Sequence, residues 1–390
     1  DMDRSSSHRD LIYFDVSSAV HGKAGLSRYA SSLAAALRPL LGKRLRLFQN
    51  SLGRYGPLAG WEGEPVAGVS YGYKPWRGMV LARSLAGLSM DDLLPDAALF
   101  HATEHLLPPL KRTPSILTVH DLIYERFPKH HKIANYLYLR AAMPIFCRRA
   151  RAIIAVSEST KNDLVRLYDI DPRRIHVISE ASAPHFGPQT AGRIEAVRAR
   201  YGLPSRYIVT VGTIEPRKNL ARLVDACGPL FDEGLVDALV IVGSRGWLYE
   251  GFFRHLESIP WRDRVIFPGF VQDEDLPAVY AGASVTAQPS LYEGFGLPVL
   301  EAMACESPVC TSNVSSLPEV GGDAARYFDP EDTDSITVTL REVLMDEALQ
   351  REMALRGSER AAEYSWERAA RETLTLYQRV IDEWADDNAD

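Results

Sequence analysis

"ASVTAQPSLYEGFGLPVLEAMAC", residues 283–305, holds a strand, a turn and a helix in one run. The segment 283–290 reads as a strand and its end, closed by Leu291 and Tyr292. Pro298 stands where proline favours the first turn of a helix, because its missing N–H would go unpaired there anyway. From Pro298 onward, "PVLEAMAC" has the apolar density of a helix packed on a sheet. Phe295, Gly296 and Leu297 are therefore expected to present backbone N–H groups at a helix N-terminus, a natural anion site. Two carboxylates, Glu293 and Glu301, flank that turn. Their spacing lets one side chain come from the turn and the other from the first helical turns, both towards one ligand. Carboxylates beside an anion site make sense when the ligand carries hydroxyls as well as negative charge, as a nucleotide-sugar does.

The same strand-to-helix unit recurs along the chain. In the first half "DLIYFDVS" (10–17), "AALFHATE" (97–104), "SILTVHDL" (115–122) and "RAIIAVSES" (151–159) are continuous apolar runs that end in polar residues. Such runs suit parallel strands covered on both faces. "YASSLAAALRPLL" and "STKNDLVRLY" read as helices after the first and fourth, the latter capped by Ser157 or Ser159. Near residue 180 the stretch "SEASAPHFGPQTAG", with two prolines and two glycines, reads as a linker. Six more strand candidates follow: "RYIVTVGT", "ALVIVGS", "RVIFPGF", "ASVTAQP", "SPVCTS" and "ARYFD". The alternation predicts an α/β fold with two doubly wound, Rossmann-like domains facing a cleft, over residues 1–182 and 183–364. A last helix over 365–390 repeats Trp366, Ala370, Leu374, Tyr377, Ile381 and Trp384 at helical spacing and is expected to pack back towards the first domain.

Composition narrows the function. The 390 residues suit two domains, with 46% hydrophobic and 24% charged residues. A net charge of -7 argues against nucleic acid as partner. No apolar run reaches the roughly 20 residues that span a bilayer. Cys147, Cys227, Cys305 and Cys310 are too few and irregular for a disulfide scaffold or zinc site and are expected as reduced core thiols in a cytoplasmic protein. The polar start reads as a disordered lead-in or a cloning remnant.

Ligands of doubly wound sheets bind outside the carboxyl ends of strands, so the residues just after each apolar run carry the chemistry. "VGTIEPRKNL" (211–220) offers Arg217 and Lys218, a guanidinium to fork two phosphate oxygens and an ammonium as a point charge. His120 ends the strand "ILTV", and its neutral imidazole is expected to exchange a hydrogen bond with a transferring sugar. His101 is a second, weaker candidate. In "HGKAGLSRYA" (21–30), Gly25 is expected in a loop that lets backbone approach a ligand. Asp273 is read as the cap of the helix in 268–283, with Glu274 and Asp275 as dipole partners. "VIVGSRGW" (240–247) reads as a structural turn as readily as a ligand loop. Asp169 and Asp171 resemble an Asp-x-Asp metal motif but lie in a helix-to-strand connector and read as a proline turn. No other cluster has metal spacing.

With these residues in place, the chain resembles a retaining glycosyltransferase of the GT-B fold, in the large family four. The resemblance rests on Glu293 and Glu301 around "GFGLPVLEAMA", and on "VGTIEPRKNL", "GFVQDEDLPAVYAGA", "VHDL" and "YSWERAA" in the same order. "GTIEPRKN" and "GSRGWLYE" are similar to bacterial members that add mannose or related hexoses to surface polysaccharides. The resemblance implies that Arg217, Lys218 and the amides near Phe295, Gly296 and Leu297 hold the donor diphosphate. It puts Glu293 on the donor sugar, Glu301 on the ribose, His120 by the reacting sugar and Gly25 opposite the diphosphate. It further implies a metal-independent transfer, without cofactor, from a nucleoside-diphosphate hexose, GDP-mannose first, to a glycan or lipid-linked saccharide. Rival readings are a UDP- or dTDP-sugar donor, a nucleotide-sugar epimerase and a non-catalytic partner subunit. The basic and apolar stretch 128–152 adds the expectation of peripheral contact at an inner membrane face. Departures from the family pattern are Thr213, where arginine is common, a first loop poorer in glycine, and Glu306, where glycine is common.

Overall fold

The protein is described by a computed structural model for residues 10–22, 24–51, 58–130 and 132–388. The first nine residues of the polar start lie outside the described residues. The chain divides into two compact units. The first comprises Asp1–Leu122, Ala134–Glu180 and Trp366–Asp390, the second Ile123–Ile133 and Ala181–Ser365. Segment 123–133 thus belongs to the second unit, which no composition shift in the sequence announces.

The first unit holds a seven-stranded sheet of β1 (Leu11–Asp15), β2 (Leu45–Asn50), β3 (Val66–Val69), β4 (Ala97–Ala102), β5 (Ser115–Val119), β6 (Ala152–Ala155) and β7 (Ile175–Val177). Its order is β3-β2-β1-β4-β5-β6-β7, with every described pairing parallel. The four apolar runs are β1, β4, β5 and β6. Sequence reading missed the other three strands for a physical reason. β2 interrupts its apolar residues with Arg46 and Gln49, β3 is a half-exposed edge, and β7 is three residues long.

The second unit holds β8 (Tyr207–Val211), β9 (Ala238–Val242), β10 (Val265–Ile266), β11 (Val285–Gln288), β12 (Val309–Ser312) and β13 (Arg326–Phe328) in the order β10-β9-β8-β11-β12-β13. All six expected strands are present, though "RVIFPGF" contributes only two residues to its strand. Counted from β8, this is the same 3-2-1-4-5-6 order as the first sheet, the doubly wound Rossmann order. The core packs Ile208, Leu239, Ile241 and Val285 of the sheet against Leu223, Val224, Leu230, Ile336 and Leu340 of flanking helices. In such sheets the crossover reverses direction beside the first strand, and the loops on either side of that point leave a crevice. The reversal lies between β1 and β4 in one unit and between β8 and β11 in the other.

Local expectations fare unevenly. Ser157, not Ser159, caps the helix Glu158–Tyr168 by accepting from the Thr160 amide. Asp273 does not cap the helix Leu276–Ala281. Asp275 sits at the N-cap instead, and its buried carboxylate takes Arg193, Arg200 and the Tyr201 hydroxyl, while Asp273 pairs with His185. Two arginines outbid backbone amides for that carboxylate, because charge-assisted bonds are the stronger. The last helix runs Trp366–Asp387 within the first unit. It buries Trp366, Ala370 and Tyr377 as expected, but adds Ala369, Thr373, Leu376 and Val380 while Leu374, Ile381 and Trp384 stay half-buried. Glu306 has φ 59°, the left-handed region glycine adopts freely, which gives the turn after "MAC" a physical reason to favour glycine.

Candidate active site

In the second unit, the loops after β8 and β11 meet at the switch point. After β8 the chain passes through Glu215 and a single tight turn, Pro216–Lys218, and then enters the helix Leu220–Asp232. The Asn219 side chain fastens this loop by donating to the carbonyls of Pro289 (3.0 Å) and Pro330 (2.7 Å). The Leu291 amide donates to the Arg217 carbonyl at 2.9 Å, so the two loops are bonded through backbone as well.

Their side chains form one ion cluster. Lys218 Nζ lies 2.6 Å from Glu293 Oε1, and Arg217 Nη1 lies 2.7 Å from Glu293 Oε2. The other Arg217 nitrogen donates to Glu215, and Nη1 also reaches the Tyr292 carbonyl at 2.9 Å. Ser290 Oγ (2.6 Å) and Gln288 Nε2 (3.3 Å) complete the shell of Glu293 Oε1. Glu293 and Lys218 are each only 8% exposed. Burial opposes ionisation of Glu293, but the charges of Arg217 and Lys218 and their hydrogen bonds outweigh it and hold the carboxyl well below the usual range. Burial pushes Lys218 down from the usual lysine range; Glu293 opposes this and Arg217 adds to it. Glu293 faces two cations and is the better-held partner. Two acids and two bases make the cluster formally neutral, so an anionic ligand would have to compete with carboxylates for both cations.

Beside the cluster, Gly296 (φ 113°) turns the chain into the helix Leu297–Ala304, with Pro298 in its first turn as expected. The first amides of a helix have no intrahelical acceptor. Phe295, Gly296 and Leu297 thus sit at the helix N-terminus, and Ser316 Oγ braces the turn by donating to the carbonyls of Glu293 (3.0 Å) and Phe295 (2.6 Å). Glu301, 2% exposed, lies inside that helix and accepts from the Tyr280 hydroxyl at 3.1 Å. The loop after β9 presses on the loop after β8. A Cβ on Gly246 would stand 2.5 Å from the Thr213 methyl, which explains that glycine and puts Thr213 in packing.

Beside the switch point of the first unit, past the strand that neighbours β4, the filling is different. His120, one residue past β5, has Nδ1 2.9 Å from Glu180 Oε1 and Nε2 2.9 Å from the Thr103 carbonyl. Both neighbours are acceptors, so the ring donates from both nitrogens. Burial opposes its charge, but the hydrogen bond and charge of Glu180, with Thr103 and Asp121, outweigh it and raise its proton affinity. The pairing therefore favours the charged ring over the neutral imidazole expected from the sequence. His101 is fully buried between the Tyr377 hydroxyl (2.5 Å) and Thr118 Oγ1 (2.7 Å), and burial pushes it down to about 3. It is a core residue that ties the last helix to the sheet. Gly25 is corrected as well: it lies in the first turn of the helix Ala24–Leu41, not in a loop.

Glu180, Glu215, Ser290 and Ser316 were not singled out in the sequence. Glu215 and Ser290 lie within quoted motifs, whereas Glu180 stood in a linker with no signal of its own. Asp171 pairs with Arg173 and caps a short turn, and Asp169 ends a helix in the left-handed region, so both carry the expected structural roles. No group of three or more metal-ligand residues occurs among the described residues. None of their helices is long and apolar enough to cross a membrane.

Comparison with known proteins decides the family. Residues 24–181 match the model of Glycosyltransferase Family 4, and residues 194–360 that of Glycosyl transferases group 1. The chain is 33% identical over 283 residues, 72% of its own length and 74% of the other's, to the O-antigen chain mannosyltransferase B of Escherichia coli. This chain is a family-four glycosyltransferase of the GT-B fold. It is accordingly an enzyme, a hexosyltransferase. It is also 35% identical over 241 residues to the serotype-specific mannosyltransferase WbdA of Escherichia coli, covering 60% of this chain but 29% of that protein. Among solved structures, sucrose-phosphate synthase from Thermosynechococcus elongatus superposes with a TM-score of 0.74 at 20% identity, over 96% of this chain and all of that one. HepE from Anabaena, solved with UDP, gives 0.68 at 16%, over 95% of this chain and 100% of that one. At these identities the likeness is one of fold.

Proposed function

We propose that this hexosyltransferase moves mannose, with retention of configuration and without a metal, from GDP-mannose to a glycan or lipid-linked saccharide. The observation that carries the reading is the buried Glu293 carboxylate, held by Arg217 and Lys218 beside the N-terminus of the helix Leu297–Ala304. A diphosphate draws both cations away from Glu293, and the released carboxylate then accepts hydrogen bonds from hydroxyls of the same ligand. The cations and the helix dipole stabilise the departing nucleoside diphosphate, the task a metal performs elsewhere. Glu301 takes the ribose in this reading, and His120 the transferring sugar. Retention follows if the acceptor attacks on the face the leaving group departs from, with a leaving-phosphate oxygen taking its proton.

Mannose as the sugar is supported by the two Escherichia coli relatives named as mannosyltransferases. A cytoplasmic site is supported by four cysteines that are all free and buried. The helix Ile133–Arg149 ends in an arginine, Arg149, that donates to the Ser84 carbonyl, and the reading does not need a membrane.

Thermal shift with GDP, UDP, ADP and dTDP, with and without EDTA, tests the donor. Saturation at 100 times the dissociation constant adds roughly 2.7 kcal/mol. A GDP shift that survives EDTA, followed by mannose transfer to mannose-containing acceptors, is the expected result. A UDP or dTDP shift moves the donor, and conversion of donor alone into its epimer would replace transfer by isomerisation. No shift with any nucleotide would remove the reading.

A further inference from the structure

His120 and Glu180 lie 60 residues apart in the chain, after β5 and after β7, and meet as a buried pair at 2.9 Å. His120 is 7% exposed and Glu180 5%. The two ring nitrogens are unequal. Nδ1–H is held by a carboxylate, the stronger acceptor, whereas Nε2–H is held by the neutral Thr103 carbonyl. The other titratable groups around the ring are Asp121 next in the chain, Tyr29 edge-on at 4.6 Å, His105 at 6.3 Å and His101 in the core behind it. Burial pushes His105 down to about 4, and with His101 it is neutral at working pH. Among the described residues, Glu180 is therefore the one carboxylate in hydrogen-bond contact with the ring.

We propose that Glu180 is a positioning residue that keeps His120 doubly protonated, so that His120 acts as a charged donor whose Nε2–H passes from the Thr103 carbonyl to a hydroxyl oxygen of the transferring hexose. The inference rests on the reading of His120 as the residue beside the reacting sugar. A hydrogen bond from a cationic donor is roughly twice as strong as a neutral one. The pair as a whole is neutral, so it adds no net charge against the positive charge that develops on a sugar ring as its C1–O bond to the diphosphate breaks. The proton stays on the ring throughout, and a leaving-phosphate oxygen receives the acceptor's proton.

The test is an imidazole NMR titration of the histidine-labelled full chain, parent and Glu180→Gln, alongside the pH profile of transfer. His120 is expected to be imidazolium at pH 7 in the parent. Its midpoint and the alkaline limb of kcat should move down by about one pH unit or more in Glu180→Gln, the usual effect of losing an adjacent opposite charge. Affinity for GDP alone, which lacks the hexose, stays within about twofold, since Glu180 lies outside the ion cluster of the second unit. Glu180→Asp should restore most of the loss. A neutral His120 in the parent at pH 7, or an unchanged midpoint and profile in Glu180→Gln, would overturn the proposal. Should Glu180→Gln fail to fold, the parent titration and Glu180→Asp decide it. A parent that transfers no hexose defeats the functional reading, while the titration still judges the pair.

Discussion

The two sheets share one strand order and yet carry unlike chemistry at the same topological point. Between β8 and β11 the second unit assembles Glu215, Arg217, Lys218 and Glu293 into a buried ion cluster beside a helix N-terminus. Between β1 and β4 the first unit places Asp15, Ser17 and Thr103, with His120 and Glu180 close behind. Asp15 accepts from the Ser17 amide and hydroxyl, and Thr103 donates to the Asp15 carbonyl at 2.7 Å. The fold fixes where a ligand can lie, and the side chains after each strand fix what kind of ligand it is. Paired cations suit phosphate. A network of hydroxyls, carboxylates and a histidine offers hydrogen bonds of the kind neutral polyols accept and donate.

The largest test of the contrast is Glu293→Ala. It leaves Lys218 buried without its partner, and breaking a buried pair in this way costs about 3–5 kcal/mol. Chemical denaturation should show that loss, and transfer should disappear. A stable variant that transfers at the parent rate would show that the cluster is a structural clamp. Tyr377→Phe probes the first unit in the same spirit. It strips a buried His101 nitrogen of its hydroxyl partner, which costs roughly 1–3 kcal/mol, with nucleotide affinity unchanged.

Much of this was legible in the residues. The continuous apolar runs of β4, β5, β8, β9 and β11 fixed the fold class, and the strand-end positions of Arg217, Lys218 and Glu293 followed from them. Glu180 was illegible because its partner lies 60 residues away, across a sheet whose seventh strand was too short to recognise. The state of His120 was illegible for the same reason: a protonation state depends on neighbours that only topology supplies. Asp273 misled because the helix starts two residues later, at Asp275, whose carboxylate is drawn to arginines of another helix.

The units should also answer pH from opposite ends. His120 has a raised folded pKa, so its contribution is full below about pH 6.5 and is lost as pH rises through the folded value. Glu293 has a lowered one, so its contribution is full above about pH 4.3 and is lost only as pH falls through a folded value well below that. Scanned from pH 3 to 9, the stability gap between parent and His120→Asn should therefore narrow above about pH 6.5, while that between parent and Glu293→Ala should narrow as pH falls below about 4.3. Melting curves across that range check both. The smallest effect is expected of Asp171→Ala, whose pairing with Arg173 is at the surface; melting temperature and transfer should stay at parent values, with or without EDTA.

The central claim, that the donor nucleotide binds at the ion cluster of the second unit, is met most directly by hydrogen exchange of the full chain with and without saturating GDP. Slowed exchange confined within that unit to residues 212–219 and 289–304, and absent in Arg217→Ala, is the predicted result. Unchanged exchange in both loops, or the same protection in Arg217→Ala as in the parent, would contradict it.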